Sequence, residues 1–205
     1  MLAERLHGGY VVGRRVRVLA DNLTGLIPPA VSVLDIGCGD GVLGSVLTTR
    51  RPDLSLVGAE VLLRPRSRIP ITAFDGLTLP FPDHAVDIAL LVDVVHHASD
   101  PHRLLAEAAR VATTAVIIKD HHLRGMFARP TLAFMDRIGN ARHGVALPYH
   151  YWTPDEWRDA FARMHATVRV ESTKLGLYPA PASWVFERSR HFDALLGLKQ
   201  PRWET

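Results

Sequence analysis

The stretch Val33-Leu34-Asp35-Ile36-Gly37-Cys38-Gly39-Asp40-Gly41 decides the fold. Val31, Val33, Leu34 and Ile36 form the apolar run of a buried strand. Three glycines at alternate positions then let the backbone turn sharply and approach a ligand with no Cβ in the way. Val42, Leu43, Val46 and Leu47 recur at helical spacing, so the turn opens a helix whose first N–H groups point at whatever lies above it. A glycine turn between strand and helix also serves plain packing. Asp35 shifts the balance, because a carboxylate inside an apolar run is costly without a partner. Asp35 and Asp40 flank the turn with negative charge. That polarity is wrong for a pyrophosphate and suits a cationic ligand without phosphate.

S-adenosylmethionine (SAM) has that chemistry: a sulfonium, an ammonium and an adenosine. The stretch resembles motif I of class I SAM-dependent methyltransferases, in the small-molecule, methyltransferase-11-like or UbiE-like group. The resemblance continues through Phe74-Asp75-Gly76, Leu79-Pro80-Phe81-Pro82-Asp83 and Val92 to Pro101, and covers roughly residues 31–120. It implies an α/β, Rossmann-like fold. The expected sheet has seven strands, mostly parallel, with an antiparallel last hairpin and helices on both faces.

A chain of 205 residues and 22.7 kDa is most simply one domain with a large core. Hydrophobic residues at 47% and charged residues at 22% are ordinary for a globular protein. The net charge of +3 is small, and no basic run with interleaved aromatics points to nucleic acid. Arg64-Pro65-Arg66-Ser67-Arg68 is the densest basic cluster and reads as a solvated loop. Cys38 is the one cysteine, so no intrachain disulfide forms, and it reads as a small packed residue. No run approaches the ~20 apolar residues of a membrane span. With no signal-peptide pattern at the N-terminus, the expectation is a cytoplasmic protein without stable membrane insertion, a monomer or homodimer.

Residues 1–10 read as short and polar, broken at Gly8-Gly9. Val12, Val16, Leu19 and Leu23 then share one helical face, ended by Gly25 and Pro28-Pro29. The resemblance implies that this N-terminal helix, within 1–30, covers the cofactor cleft, where His7, Tyr10 and Arg14 are candidates to touch ligand. Residues 54–60 read as strand two, ending in Glu60, an acid placed to accept both ribose hydroxyls. Val61–Arg68 with Pro65 is too short for the usual crossover helix, so the adenine side is expected to be open. Ile69–Phe74 reads as strand three and Val86–Val92 as strand four, a continuous apolar run covered on both faces. Asp100 and Pro101 start the next helix. Ala115–Lys119 reads as strand five and leads to Asp120-His121-His122.

Residues 123–150 form an irregular apolar segment with a helix near 130–138, expected to be a lid over the acceptor. Thr153-Pro154-Asp155-Glu156 is a capping box. Residues 168–178 and 183–188 read as the closing hairpin, with a poorly packed tail from His191.

The resemblance implies a cofactor cradle of Asp35, Gly37, Cys38, Gly39, Glu60, Val61, Asp75, Gly76 and Asp93. Asp75 there receives the adenine amino group, and Asp93 or Val94 lies beneath the methionine half. Methyl transfer is an in-line displacement that needs alignment, dryness and sometimes a base. Histidine suits the last role near neutral pH. His97 and His121 are the catalytic candidates, with His96, His122, His143 and His150 nearby; a histidine pair after strand four also serves to fix its loop. Asp93, Asp120 and His121 could ligate a hard cation, but the matching pattern wants asparagine where His121 stands, so no metal is expected. The acceptor is expected to be small and partly hydrophobic. The alternatives are a catalytically silent SAM-binding partner or scaffold and, third, a nicotinamide-dependent oxidoreductase.

Overall fold

A computed structural model describes residues 2–140, 150–180, 182–187 and 190–198, with side chains for all of these except 2–12, 138–140 and 185. The elements in order are α1 (Leu2–Leu26), β1 (Ser32–Ile36), α2 (Val42–Arg50), β2 (Ser55–Glu60), β3 (Ile71–Ala73) and β4 (Val86–Val92). A 3-10 turn (Val95–His97), α3 (Pro101–Val111), β5 (Ala112–His121), α4 (Ala128–Asn140), α5 (Pro154–Arg163), β6 (Ala166–Ser172), α6 (Ser183–Phe186) and β7 (His191–Leu198) follow.

One seven-stranded sheet has the order β3-β2-β1-β4-β5-β7-β6. The first five strands pair in parallel and β7 runs antiparallel to both neighbours. Side chains alternate between two cores, as the period of two requires. Leu34, Ile36, Ala89, Leu91, Val116 and Ile118 face the core shared with α3 and α5. Val33, Ile88, Leu90, Ala115 and Ile117 face the core shared with α1 and α2. Helices therefore cover both faces, and the parallel strands in the middle read as continuous apolar runs because neither face meets water.

Local signals hold where side chain and backbone agree. The Asp100 carboxylate accepts from the Arg103 N–H and Pro101 opens α3. Thr153 and Glu156 close a reciprocal capping box on α5. No helix fills residues 61–70 between β2 and β3, as the short crossover with Pro65 required.

Three expectations are corrected. The N-terminal helix does not start after Gly8-Gly9 but runs unbroken from Leu2, since glycine lowers helix propensity without forbidding it. The closing hairpin is not 168–178 with 183–188: its first strand is β6, and 183–186 is a short helix. Its second strand is β7, the segment read as a poorly packed tail. His191-Phe-Asp-Ala-Leu-Leu-Gly-Leu198 is mostly buried because it lies between β5 and β6. Phe192, Ala194 and Leu196 enter one core and Leu195 packs against the other.

Candidate active site

The parallel strands all end on one rim, where α/β sheets bind ligands. Asp35, Glu60, Asp75 and Asp93 stand at or just beyond the ends of β1, β2, β3 and β4. The glycine turn sits at their centre. Gly37 and Gly41 are both in the left-handed region, at φ 72° and 76°. A Cβ on Gly37 would come within 2.5 Å of a Val94 methyl, and one on Gly41 within 2.5 Å of the Ile69 side chain. Both positions thus need glycine for conformation and for space.

Asp35 is buried at the end of β1, and its Oδ2 has no partner among the described residues. Burial, helped by the nearby Glu60 charge, raises its carboxyl to about 7. The Glu60 carboxylate folds over the turn. Oε2 accepts from the Gly39 N–H at 2.7 Å, and Oε1 accepts from Val61 and Leu62 at 2.9 and 3.0 Å. Asp75 is exposed and its Oδ1 accepts from Leu77 and Thr78. Those backbone bonds hold the carboxyl below the usual range. A Val61 methyl lies 3.4 Å from where a Gly76 Cβ would stand, so these two neighbour each other beside the open crossover. The Cys38 thiol fills the space that Gly58 leaves over β2. Burial pushes that thiol up to about 12, so it is a packed group and no nucleophile.

Asp93 has the left-handed φ of 57°, a strained conformation for a residue with a side chain. Its carboxylate pairs with the fully buried Lys119 ammonium and with Arg15 of α1 at 2.5 Å. Burial opposes its charge, but Lys119 and Arg15 outweigh that and hold it well below the usual range. Lys119 also lies 3.3 Å from His191 Nδ1. Arg14, the expected ligand contact, turns to the backbone oxygens of Gly176 and Leu177 instead. The side chains of His7 and Tyr10 lie outside the described residues, as does His143.

The histidines divide by environment. His96 is buried and its Nδ1 lies 2.5 Å from Asp120 Oδ1. Its Nε2 lies 3.5 Å from Asp136 of α4, which also accepts from the Tyr151 hydroxyl. Burial alone would discharge His96; the Asp120 and Asp136 carboxylates reverse that and raise it to about 10. It is therefore a cation at neutral pH and no base. His97, half-buried with its ring 3.9 Å from that of His96, is pushed down to about 4 by burial and by the His96 charge. His121 is buried, with Nδ1 3.2 Å from Asp120 Oδ1 and Nε2 3.8 Å from Asp93 Oδ1. Burial and the Lys119 charge lower it in spite of Asp120. Both catalytic candidates are thus neutral at physiological pH. His122 stacks on Phe192 and His150 is exposed.

His96, Asp120 and His121 lie close enough to share an ion. The His96 ring lies between the Asp120 and Asp136 carboxylates, with Nδ1 toward the first and Nε2 toward the second.

Sequence reasoning missed Arg15, Lys119, Asp136 and His191. The signal for Lys119 was available, since a charge closing the apolar run of β5 demands a partner as Asp35 does. Asp136 follows Ala128 and Leu132 at helical spacing on the buried side of α4, which marks a carboxylate with a buried partner. Arg15 and His191 depend on contacts between distant segments and left no local trace.

The sheet order and the rim at its strand ends are those of the Rossmann-like class I methyltransferase fold, whose members use SAM. Residues 34–116 match a family described as a methyltransferase domain. SAM is the methyl donor of that class. The 27-O-demethylrifamycin SV methyltransferase of Amycolatopsis mediterranei is 27% identical over 129 residues, 53% of this chain and 47% of that protein. The tRNA (carboxymethyluridine(34)-5-O)-methyltransferase of Schizosaccharomyces pombe is 33% identical over 82 residues, 38% of this chain and 34% of that protein. These matches thus span about half and about a third of the length of those relatives. A SAM-dependent methyltransferase of Thermotoga maritima superposes with a TM-score of 0.67 over 97% of this chain and 96% of that one. At 18% identity that similarity concerns the fold.

Proposed function

We propose that the protein transfers a methyl group from SAM to an O, N or C atom of a small, partly hydrophobic acceptor. The observation that carries this reading is the ring of four acids around a glycine turn at the strand ends. The unpartnered Asp35 oxygen, beneath the turn, is the group most in need of a cation. Asp35, Gly37, Cys38 and Gly39 would form the floor of the cofactor site. Glu60, Val61, Asp75 and Gly76 would hold the adenosine, and Asp93 the methionine end. Glu60 must turn away from the Gly39 N–H to meet ribose hydroxyls, and the bonds it now makes keep the turn in shape meanwhile. Asp93, held by Lys119 and Arg15, brings two cations to the methionine end, where the carboxylate of SAM needs a partner.

His97 and His121 are the proton acceptors we favour, because they are neutral where His96 is charged. His97 is half-buried. His121 has Asp120 to stabilise the imidazolium that would form. A single thiol kept packed and protonated suits the cytoplasm. The similarity to a tRNA methyltransferase makes RNA the acceptor class to test against small molecules.

The experiment is turnover of isotopically labelled SAM with fractionated cell extract, run beside Glu60→Ala. Label should appear in a small-molecule fraction, and Glu60→Ala should weaken SAM and S-adenosylhomocysteine about tenfold or more, the scale of a lost charged hydrogen bond. Binding without any turnover would favour the silent SAM-binding partner, which the occupied state of Glu60 and Asp93 makes the second reading.

A further inference from the structure

The positive charge of this chain is concentrated on the rim. Segments 61–68 and 123–137 together hold six arginines and one acid, a net +5, against +3 for the whole chain; everything else carries −2. The one acid, Asp136, is buried against His96 and Tyr151 and offers nothing to the outside. Arg66, Arg124, Arg129 and Arg137 are all exposed, while Arg68 lies 3.6 Å from Asp40.

The exposed apolar side chains fall in the same two segments. Among the described residues, six of the nine large exposed hydrophobics lie at 61–63 and 126–134. Met126 is 87% exposed, Phe127 64%, Leu63 58% and Phe134 55%. Phe134 stands on α4 opposite the face that buries Ala128, Leu132 and Asp136, and Phe127 immediately precedes the first residue of that helix. Val61 neighbours Gly76 in the candidate adenosine site, whereas Leu62 and Leu63 belong to no site. Both segments follow strand ends on the mouth side of the sheet. β2 and β5 are three strand spacings apart, about 14 Å, so the segments flank the site.

We propose that this rim docks reversibly on an anionic lipid surface, with Leu62, Leu63, Met126, Phe127 and Phe134 entering the headgroup boundary and the arginines meeting lipid phosphates. Arginine beside exposed aliphatic and aromatic groups is the composition of interfacial elements. Leu62, Leu63 and Met126 suit acyl chains and offer a nucleic acid no aromatic face, which leaves only Phe127 and Phe134 able to stack on bases. Docked in this way, the mouth of the site faces the bilayer. The docking does not depend on methyl transfer.

Flotation of the full chain with phosphatidylcholine vesicles, with and without phosphatidylglycerol, tests it. The chain should float with the anionic vesicles and stay in solution with the neutral ones. Arg124→Ala with Arg129→Ala should weaken that association about thirtyfold, and Phe127→Ser with Phe134→Ser should release the chain. These side chains are exposed, so an unchanged melting temperature and unchanged S-adenosylhomocysteine binding would show that the variants remain folded. Equal flotation with both vesicles, no flotation with either, or capture by a tRNA transcript in place of vesicles would each overturn the proposal. Wild-type protein that binds S-adenosylhomocysteine but no vesicle overturns the docking alone. Flotation without cofactor binding supports the docking and overturns the methyltransferase reading alone.

Discussion

Asp35 holds its proton up to about pH 7, where an ordinary aspartate loses it near pH 4. Between those values the folded chain keeps a proton that the unfolded chain has released. Stability contributed at this site therefore falls as pH rises across that window and levels off above it. A cationic ligand favours the ionised form. SAM affinity should accordingly rise from about pH 6 to about pH 8, and Asp35→Asn should lose that dependence. Isothermal titration at several pH values checks this, and a pH-independent affinity in the wild type would remove Asp35 from the site. His96 has the same sign over a higher window, because its folded pKa is also raised. Its charge is stabilised in the fold up to about pH 10, so its contribution is complete below about pH 6.5 and is lost as pH rises through about 10. Asp120→Asn leaves that cation without its closest carboxylate and should cost about 3–5 kcal/mol. Denaturant titration would show this, and a loss under about 1 kcal/mol would mean that Asp136 alone balances His96.

The elements legible in the sequence were those whose signals are local. The strand–turn–helix at 33–47, the Asp100 and Thr153 caps and the missing crossover helix all follow from neighbouring residues. β7 was not legible, because burial there comes from the two strands on either side and not from its own pattern. A strand that carries His191, Asp193 and Gly197 among its apolar residues reads as a tail until its partners are known. The same holds for the site. Glycines and acids at strand ends could be read one by one, but the Arg15–Asp93–Lys119 group joins segments 78 and 26 residues apart. Ending the chain before His191 should abolish folding, since β5 and β6 would both lose their partner. A cooperative melt with native far-ultraviolet circular dichroism in that truncated chain would contradict the topology.

At the scale of the whole molecule, sheet topology, charge and exposed apolar groups agree on one active end. The acids gather inside that rim, the arginines stand around it, and two helices seal each face behind it. The central claim is the chemistry of the ligand that the rim accepts. Calorimetric titration of one preparation with S-adenosylhomocysteine and, separately, with NAD tests it most directly. The acidic turn should bind S-adenosylhomocysteine and give no heat with NAD; binding of NAD without S-adenosylhomocysteine would contradict it.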